Sequence, residues 1–364
     1  MRKIAVSLPK GLKYTVLIDA FLFSQDDWLS CVSFPSSRGV ILTSSRVGQL
    51  YAEKVQDCFA RRGYVVDILT VPDGEEHKNL RTVEEIYHKL LALDLDRKSF
   101  LLALGGGVIT DLGGFVASTF LRGIAYYQIP TSLLAQVDSS IGGKTGVNLE
   151  EGKNLVGTFY QPSGVFVDLS FLDTLPEREY REGLAEVVKT AFLEGEKFVT
   201  FLRARREEIL RREKNTLEEL VARAVMYKKR IVEKDEKEQG LRSALNYGHT
   251  IGHALEKATG YGTLRHGEAV SVGMHGEAML ALKIGVSTDE VYKLQESILE
   301  AFELPLRVSQ RIEVREFLSA LRKDKKKEGG KVRFTLLECL GKPVLGVEVE
   351  EEKVLEILPE ICEV

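Results

Sequence analysis

The sequence predicts an α/β protein, with an N-terminal Rossmann-like parallel-sheet domain followed by a mostly α-helical domain. Three observations predict it. The chain has 364 residues, more than one small core organises. Its first half alternates short β-branched apolar runs with stretches of helical period, the pattern of β-α-β units and hence of parallel strands. Beyond about residue 175 the strand-like runs stop and amphipathic helical periodicity takes over. Residues 1–174 therefore read as a nucleotide-binding-type domain and residues 175–364 as a helical one.

The elements follow in order. Strands are expected at 14–18, 39–43, 65–71, 100–104, 125–129 and 165–169, with helices at 47–62 and 80–93 between them. The basic start is read as the first strands, because Lys10, Lys13 and Asp19 interrupt any apolar run of signal-peptide length. Residues 101–120 carry one charge, Asp111, and approach the length of a membrane span. Glycines at 105–107 and 113–114 make a strand, a loop and a buried helix of them instead. Helices are expected at 179–193, 196–212, 216–234, 243–259, 267–284, 289–302 and 314–321. A short β return comes at 332–337 and 344–349. The charged run 205–238 reads as a solvated helical face with i,i+4 pairs.

With 44% hydrophobic and 29% charged residues, the chain has the balance of a soluble globular protein. A net charge of -4 argues against general nucleic-acid binding but leaves room for a local cationic pocket. Cys31, Cys58, Cys339 and Cys362 form no C-x-x-C pair. They read as free thiols of a reducing, cytoplasmic compartment and build no thiolate metal site.

Two glycine-rich segments bear on chemistry. Leu101 to Leu104 run into GGGVITDLGG, a buried strand feeding a bare turn and a helix. Such a turn lets backbone N–H groups approach a pyrophosphate at a helix N-terminus, and equally serves to pack a helix tightly on a sheet. The second, IGGKTG at 141–146, resembles the end of a Walker A loop, but position 138 is Asp where that motif needs Gly. Lys144 is left for another anion.

Three of six histidines fall between 249 and 266. His249 and His253 stand four apart in NYGHTIGHALE and share a helix face; His266 follows in LRHGEA, and Glu186 in GLAEVVKTA can add a carboxylate. Histidine nitrogen with carboxylate oxygen suits Zn²⁺ or a similar first-row ion. Spacing alone does not separate a ligand from a general base among these histidines. Arg122, Lys144, Lys153, Lys189, Lys228, Arg242 and Lys325–Lys327 supply cations in largely apolar or glycine-rich surroundings. A buried one needs a partner, either an internal carboxylate such as Asp138 or an anionic small-molecule substrate, while the run 324–327 taken alone reads as a solvated loop.

GGGVITDLGGFVASTFLRG, IPTSLLAQVDSSIGGKTGVN, GLAEVVKTA, EQGLRSALNYGHTIGHALE and RHGEAVSVGM, in that order and separation, resemble the 3-dehydroquinate synthases across essentially the whole chain. The resemblance implies a dehydroquinate synthase-like fold, NAD and a divalent metal (Zn²⁺ or Co²⁺) as cofactors, and a cytoplasmic homodimer without nucleic-acid or membrane partners. It implies Glu186, His249 and His266 as metal ligands, and His253, Lys144, Glu238 and Asn246 as catalytic groups. For the substrate it implies Asp138, Lys144, Asn154, Lys189, Lys228, Arg242, Asn246 and Lys326, with Arg122 supplied by the partner subunit. For NAD it implies Glu75, Lys78, Gly106, Gly107, Val108, Asp111, Thr131, Ser132, Lys144, Lys153, Phe171 and Thr174. Thr110 stands where the family usually has Gly, Ser132 where it has Thr, and Glu182 where it has Asn or Ser.

The implied reaction converts 3-deoxy-D-arabino-heptulosonate 7-phosphate to 3-dehydroquinate and phosphate. It runs by transient oxidation, phosphate elimination, reduction and intramolecular aldol closure. The alternatives are an NAD- and metal-dependent polyol dehydrogenase of the same superfold, or a related sugar-phosphate cyclase.

Overall fold

The computed structural model describes residues 1–25, 27–260, 263–324 and 331–363. The chain divides into two compact units. One comprises Met1–Pro176 with Lys214–Glu236, the other Glu177–Glu213 with Lys237–Val364.

The first unit is built on a seven-stranded sheet. Its strands are β1 (Arg2–Ser7), β2 (Lys13–Asp19), β3 (Arg38–Ser44), β4 (Val65–Val71), β5 (Phe100–Gly105), β6 (Ala125–Pro130) and, after a separate hairpin of β7 (Lys144–Leu149) and β8 (Gly152–Phe159), β9 (Gly164–Asp168). The order is β1-β2-β9-β6-β5-β3-β4, parallel throughout except for the β1–β2 pair. Helices α1 (Ser45–Ala60), α2 (Leu80–Ala92) and α3 (Gly107–Thr119) connect the strands. The period of two sends Val40 and Leu42, Leu101 and Ala103 into one core, and Ile41, Leu102 and Leu104 into the other. A sheet buried on both faces needs strands that read as continuous apolar runs, and β5 is buried at every position.

The chain then contributes α4 (Glu177–Glu194), α5 (Glu196–Ala204) and α6 (Arg206–Leu210) to the second unit. It returns to the first for α7 (Lys214–Lys234) before leaving again. This corrects the expected division at 174/175, which put all later residues in the helical domain. The apolar stripe of α7, including Leu217, Leu220, Val221 and Val225, is fully buried. Around it, Arg2 donates to Glu218 and Glu219, and Lys228 to Asp138, all within the first unit. Helical period identifies α7 as a helix and is blind to which core it serves.

The second unit continues through α8 (His249–Ala258), α9 (His266–Lys283), α10 (Asp289–Ala301) and α11 (Val314–Asp324). The hairpin of β10 (Lys331–Cys339) and β11 (Lys342–Glu350) and helix α12 (Glu351–Ile361) complete it. Its core joins Ile251, Leu255, Leu280, Phe317, Leu321, Phe334 and Ile357. Two expected helices are shorter than their periodicity. The 196–212 segment breaks at Arg205, and the 243–259 segment opens as a 3-10 turn, Leu241–Asn246. There Gly248, at φ +79°, redirects the backbone so that α8 begins at His249.

Candidate cofactor and metal sites

In the first unit the glycines after β5 divide by function. A Cβ on Gly105 would lie 2.6 Å from Ile109 Cβ, and one on Gly113 2.8 Å from Ala103 Cβ; Gly114 lies tighter still against Thr145. Those three glycines are needed for packing, Gly105 and Gly113 between α3 and the sheet and Gly114 between α3 and the β7–β8 hairpin. Gly106 and Gly107 are not, since a Cβ there would meet only Ser132 Oγ at 3.4 Å or Ser139 Oγ at 3.7 Å. Gly106 is also the N-cap of α3 and caps it with no side chain. The bare amides at 106–108 and the helix N-terminus therefore have the form of an anion cradle. Thr131 N donates to Gly105 O at 3.0 Å, which brings Thr131 and Ser132 beside the turn.

A polar network stands with it. The Lys78 ammonium is almost fully buried and donates to Asp111 Oδ2 at 2.5 Å and Asn154 Oδ1 at 2.7 Å. Asn148 links Glu75, through Nδ2 to Oε1 at 2.8 Å, to the Asn154 backbone, whose φ is +55°. Burial alone would lower the Lys78 pKa, but the charges of Asp111 and Glu75 outweigh it and raise it. Glu75, Lys78, Asp111 and Asn154 thus form one cluster. Asn148, which sequence reasoning missed, ties it together.

Elsewhere in this unit Lys228 Nζ donates to both Asp138 O and Asp138 Oδ1 at 2.6 Å. Gly142 and Gly143, at φ +92° and +66°, lead Lys144 into the β7–β8 hairpin. A Walker loop opens a helix, so the local fold agrees with the failed motif. Lys153 lies on β8. Arg122 is exposed, in a turn with φ +70°. Phe171 is buried, its ring 4.3 Å from that of Tyr51 and 5.7 Å from that of Phe23. Its side chain is core, and its carbonyl accepts from Tyr51 Oη at 3.2 Å. Tyr51 also holds the Thr174 hydroxyl.

In the second unit Glu186 on α4, His249 at the first residue of α8 and His266 at the first residue of α9 bring one donor atom each within 4.8 Å of one another. His249 Nε2 and His266 Nε2 approach Glu186 Oε1 at 3.6 and 3.8 Å. The opposite ring nitrogens face outer partners. His249 Nδ1 lies 3.1 Å from Tyr247 O, and His266 Nδ1 3.4 Å from Glu256 Oε2. A proton on each Nδ1 leaves both Nε2 lone pairs directed at the same point. Glu186 is ion-paired with Lys189 through Oε2, and its carboxylate is almost fully buried. Burial, followed by the Lys189 charge, holds the His249 imidazole well below its ordinary pKa, so it stays neutral as a ligand must. Burial also pulls His266 down, but Glu256 more than offsets it. Two imidazoles and one carboxylate fit a divalent first-row ion with a coordination position left open.

His253 lies one turn further along α8. It is exposed, with its ring centroid 5.3 Å from His249 and 6.0 Å from His266. With Glu256 and His266 it forms a second, overlapping donor group. Asn246 Nδ2 donates to Glu238 Oε1 at 3.2 Å, with Glu238 held at φ +57°. Arg242, in the same turn, is 1% exposed. Lys326 lies outside the described residues. Sequence reasoning missed Glu256, although its i,i+3 spacing from His253 was a usable signal. The Glu182 carboxylate, raised by burial, pairs with Arg265 at 3.2 Å, and its backbone packs against Gly267.

The family model for the N-terminal part of 3-dehydroquinate synthase matches residues 68–182, and that for the C-terminal part matches residues 183–327. A 3-dehydroquinate synthase of Thermodesulfovibrio yellowstonii is 42% identical over 99% of this chain and 100% of its own length. One from Dictyoglomus thermophilum is 45% identical over 87% of each. Among solved structures, 2-epi-5-epi-valiolone synthase from Streptomyces hygroscopicus, with NAD⁺ and Zn²⁺ bound, superposes with TM-score 0.87 at 28% identity, over 98% of this chain and 99% of that one. An iron-containing alcohol dehydrogenase from Thermotoga maritima superposes with TM-score 0.65 at 12% identity, covering 99% and 98%. That likeness is one of fold alone. Together these define a class, the two-part fold shared by sugar cyclases and iron-type alcohol dehydrogenases. Within that class, the chain belongs to the 3-dehydroquinate synthase family. It is an enzyme of that family.

Proposed function

We propose that this enzyme converts 3-deoxy-D-arabino-heptulosonate 7-phosphate to 3-dehydroquinate and phosphate, using NAD catalytically and a divalent ion, Zn²⁺ or Co²⁺, held by Glu186, His249 and His266. The observation that carries the reading is the donor set itself, two Nε2 atoms aimed at one oxygen of a buried carboxylate. The full-length likeness to 3-dehydroquinate synthases supports it, as does the NAD⁺ and Zn²⁺ bound by the valiolone synthase.

When bound, the ion would acidify a substrate hydroxyl and NAD would take up and give back one hydride. The chain's own groups do the rest. His253, exposed beside the ligands, is suited to move the proton of that hydroxyl. Glu238 and Asn246 hold each other in place for substrate contact, and Lys144 offers a cation to substrate and cofactor. The amides of Gly106, Gly107 and Val108 take the pyrophosphate. Glu75, Lys78, Asp111, Thr131, Ser132, Lys153, Phe171 and Thr174 are assigned to the remainder of NAD. Asp138, Asn154 and Lys228 in the first unit, and Lys189, Arg242 and Asn246 in the second, are assigned to the anionic substrate, with Lys326. Each cation at contact distance contributes about 4 kcal/mol of attraction at an effective dielectric of 20, before desolvation. We further assign a homodimer in the cytoplasm, with Arg122 acting in the partner's site. Among the described residues no helix is long and apolar enough to cross a membrane.

The test is an anaerobic assay with the heptulosonate phosphate, trace NAD and Zn²⁺. Phosphate release without net NADH is expected. NADH accumulating with glycerol would instead identify a polyol dehydrogenase, and turnover of a different sugar phosphate alone would identify another cyclase.

A further inference from the structure

Helix α8 carries His249 at its first residue and has no cap of its own. Its N-cap is Gly248, which has no side chain to answer the free N–H groups of the first turn. That turn is buried, since Thr250 and Ile251 are 2% and 0% exposed, so water does not answer them either. A carboxylate from another helix does. Glu277, fully buried on α9, accepts from Gly248 N at 2.6 Å through Oε2, and from Thr250 N at 3.1 Å and Ile251 N at 3.3 Å through Oε1.

The backbone is shaped for this reach. A Cβ on Gly248 would lie 2.6 Å from Met274 Cγ and 2.8 Å from Val270 O, both on α9, and Gly273 of α9 meets the Gly248 carbonyl. The head of α8 therefore lies directly on α9. The same α9 starts with His266, the other histidine donor, so one helix bears one ligand and, three turns on, the anion that grips the start of the other ligand's helix.

We propose that Glu277 is a positioning residue for the metal site. By holding the amides of residues 248, 250 and 251, it sets where the His249 ring stands relative to His266. This rests on the reading that Glu186, His249 and His266 hold a metal. A carboxylate is the right group, because it presents two acceptor oxygens and a negative charge to three N–H donors at the positive end of a helix. An amide of the same shape presents one acceptor and turns an NH₂ toward an N–H.

The experiment compares wild type, Glu277→Gln and His249→Ala as full-length protein. Zn²⁺ affinity is measured by competition with a chromophoric chelator, and the Co²⁺-substituted proteins by visible absorption. Glu277→Gln is expected to weaken Zn²⁺ roughly 10- to 100-fold, the range for partners that orient a ligand, and to shift the Co²⁺ bands. Unchanged affinity and spectrum, with only a lowered Tm, would reduce Glu277 to a helix cap and overturn the inference. Wild type that binds no more tightly than His249→Ala would overturn the metal reading itself. Wild-type hydrogen exchange covers the case in which Glu277→Gln does not fold. By linkage, a cap that favours the metal is itself tightened by it, so Zn²⁺ should slow exchange at residues 248, 250 and 251 by about tenfold or more. Exchange there that ignores the metal would again overturn the inference.

Discussion

The two units make their candidate sites from different material. The first uses backbone. Its anion cradle is a stretch of main chain at 106–108, kept bare at two glycines that packing does not require. The second uses side chains. Its donor set is two imidazoles and a carboxylate, each fixed by a neighbour that is itself buried or hydrogen-bonded. A backbone site is damaged by adding atoms, and a side-chain site by removing them. Substitutions that do one or the other separate the two.

The largest effect is expected in the second unit. His249→Ala should abolish metal retention, read by metal analysis after desalting, and phosphate release with it. His253→Ala should keep the metal and lower kcat by roughly 10²- to 10⁴-fold, the range for a general acid–base group. Equal metal loss in both variants would make both histidines ligands and break the assignment. In the first unit, Asp111→Asn removes the main counter-charge of buried Lys78, while Asn154 still accepts from it. Denaturant unfolding should show a loss of about 3 kcal/mol. The glycine turn gives the sharpest contrast. Gly113→Ala should destabilise by about 1–3 kcal/mol through crowding with Ala103, without changing the KM for NAD. Gly106→Ala should leave Tm nearly unchanged and raise that KM roughly tenfold or more, through loss of an amide contact to a charged oxygen worth about 1.5–3 kcal/mol. If Gly106→Ala lowers Tm instead, the turn is a packing device.

The smallest effect is one of pH. The Lys78 pKa is raised in the folded state, so its stabilising contribution is complete below the ordinary lysine value and fades as pH climbs through the raised one. Stability compared at about pH 9 and about pH 11 should fall more in wild type than in Asp111→Asn.

Much of this was legible in the sequence. Strands β3, β5, β6 and β9 are buried parallel strands, and such strands must be written as apolar runs. The β7–β8 hairpin was not legible, because its strand β8 has no fully buried residue and so imposes no period. Helix α12 was missed because Pro359 argues against a helix. The helix runs only two residues past it, to Ile361. In the donor set, the i,i+4 spacing of His249 and His253 left them equivalent. In the fold His249 Nε2 lies 3.6 Å from Glu186 Oε1 whereas His253 is exposed, and that difference leaves no mark on spacing. The Lys78 cluster joins Glu75, Asp111, Asn148 and Asn154 from separate stretches of the chain, and only the folded chain brings such partners together.

Helix α7 has a consequence for how the protein is made. The sheet that it covers is complete by β9, but α7 is translated only after Glu177–Glu213 has been delivered to the other unit. A ribosome working from the N-terminus therefore cannot release a finished first unit and then begin the second. Until residue 236 emerges, the β1 face and Asp138 wait for Arg2's partners and for Lys228. No single cut yields both units whole, so a stop codon after Pro176 should give an aggregation-prone fragment, not a minimal cofactor-binding protein.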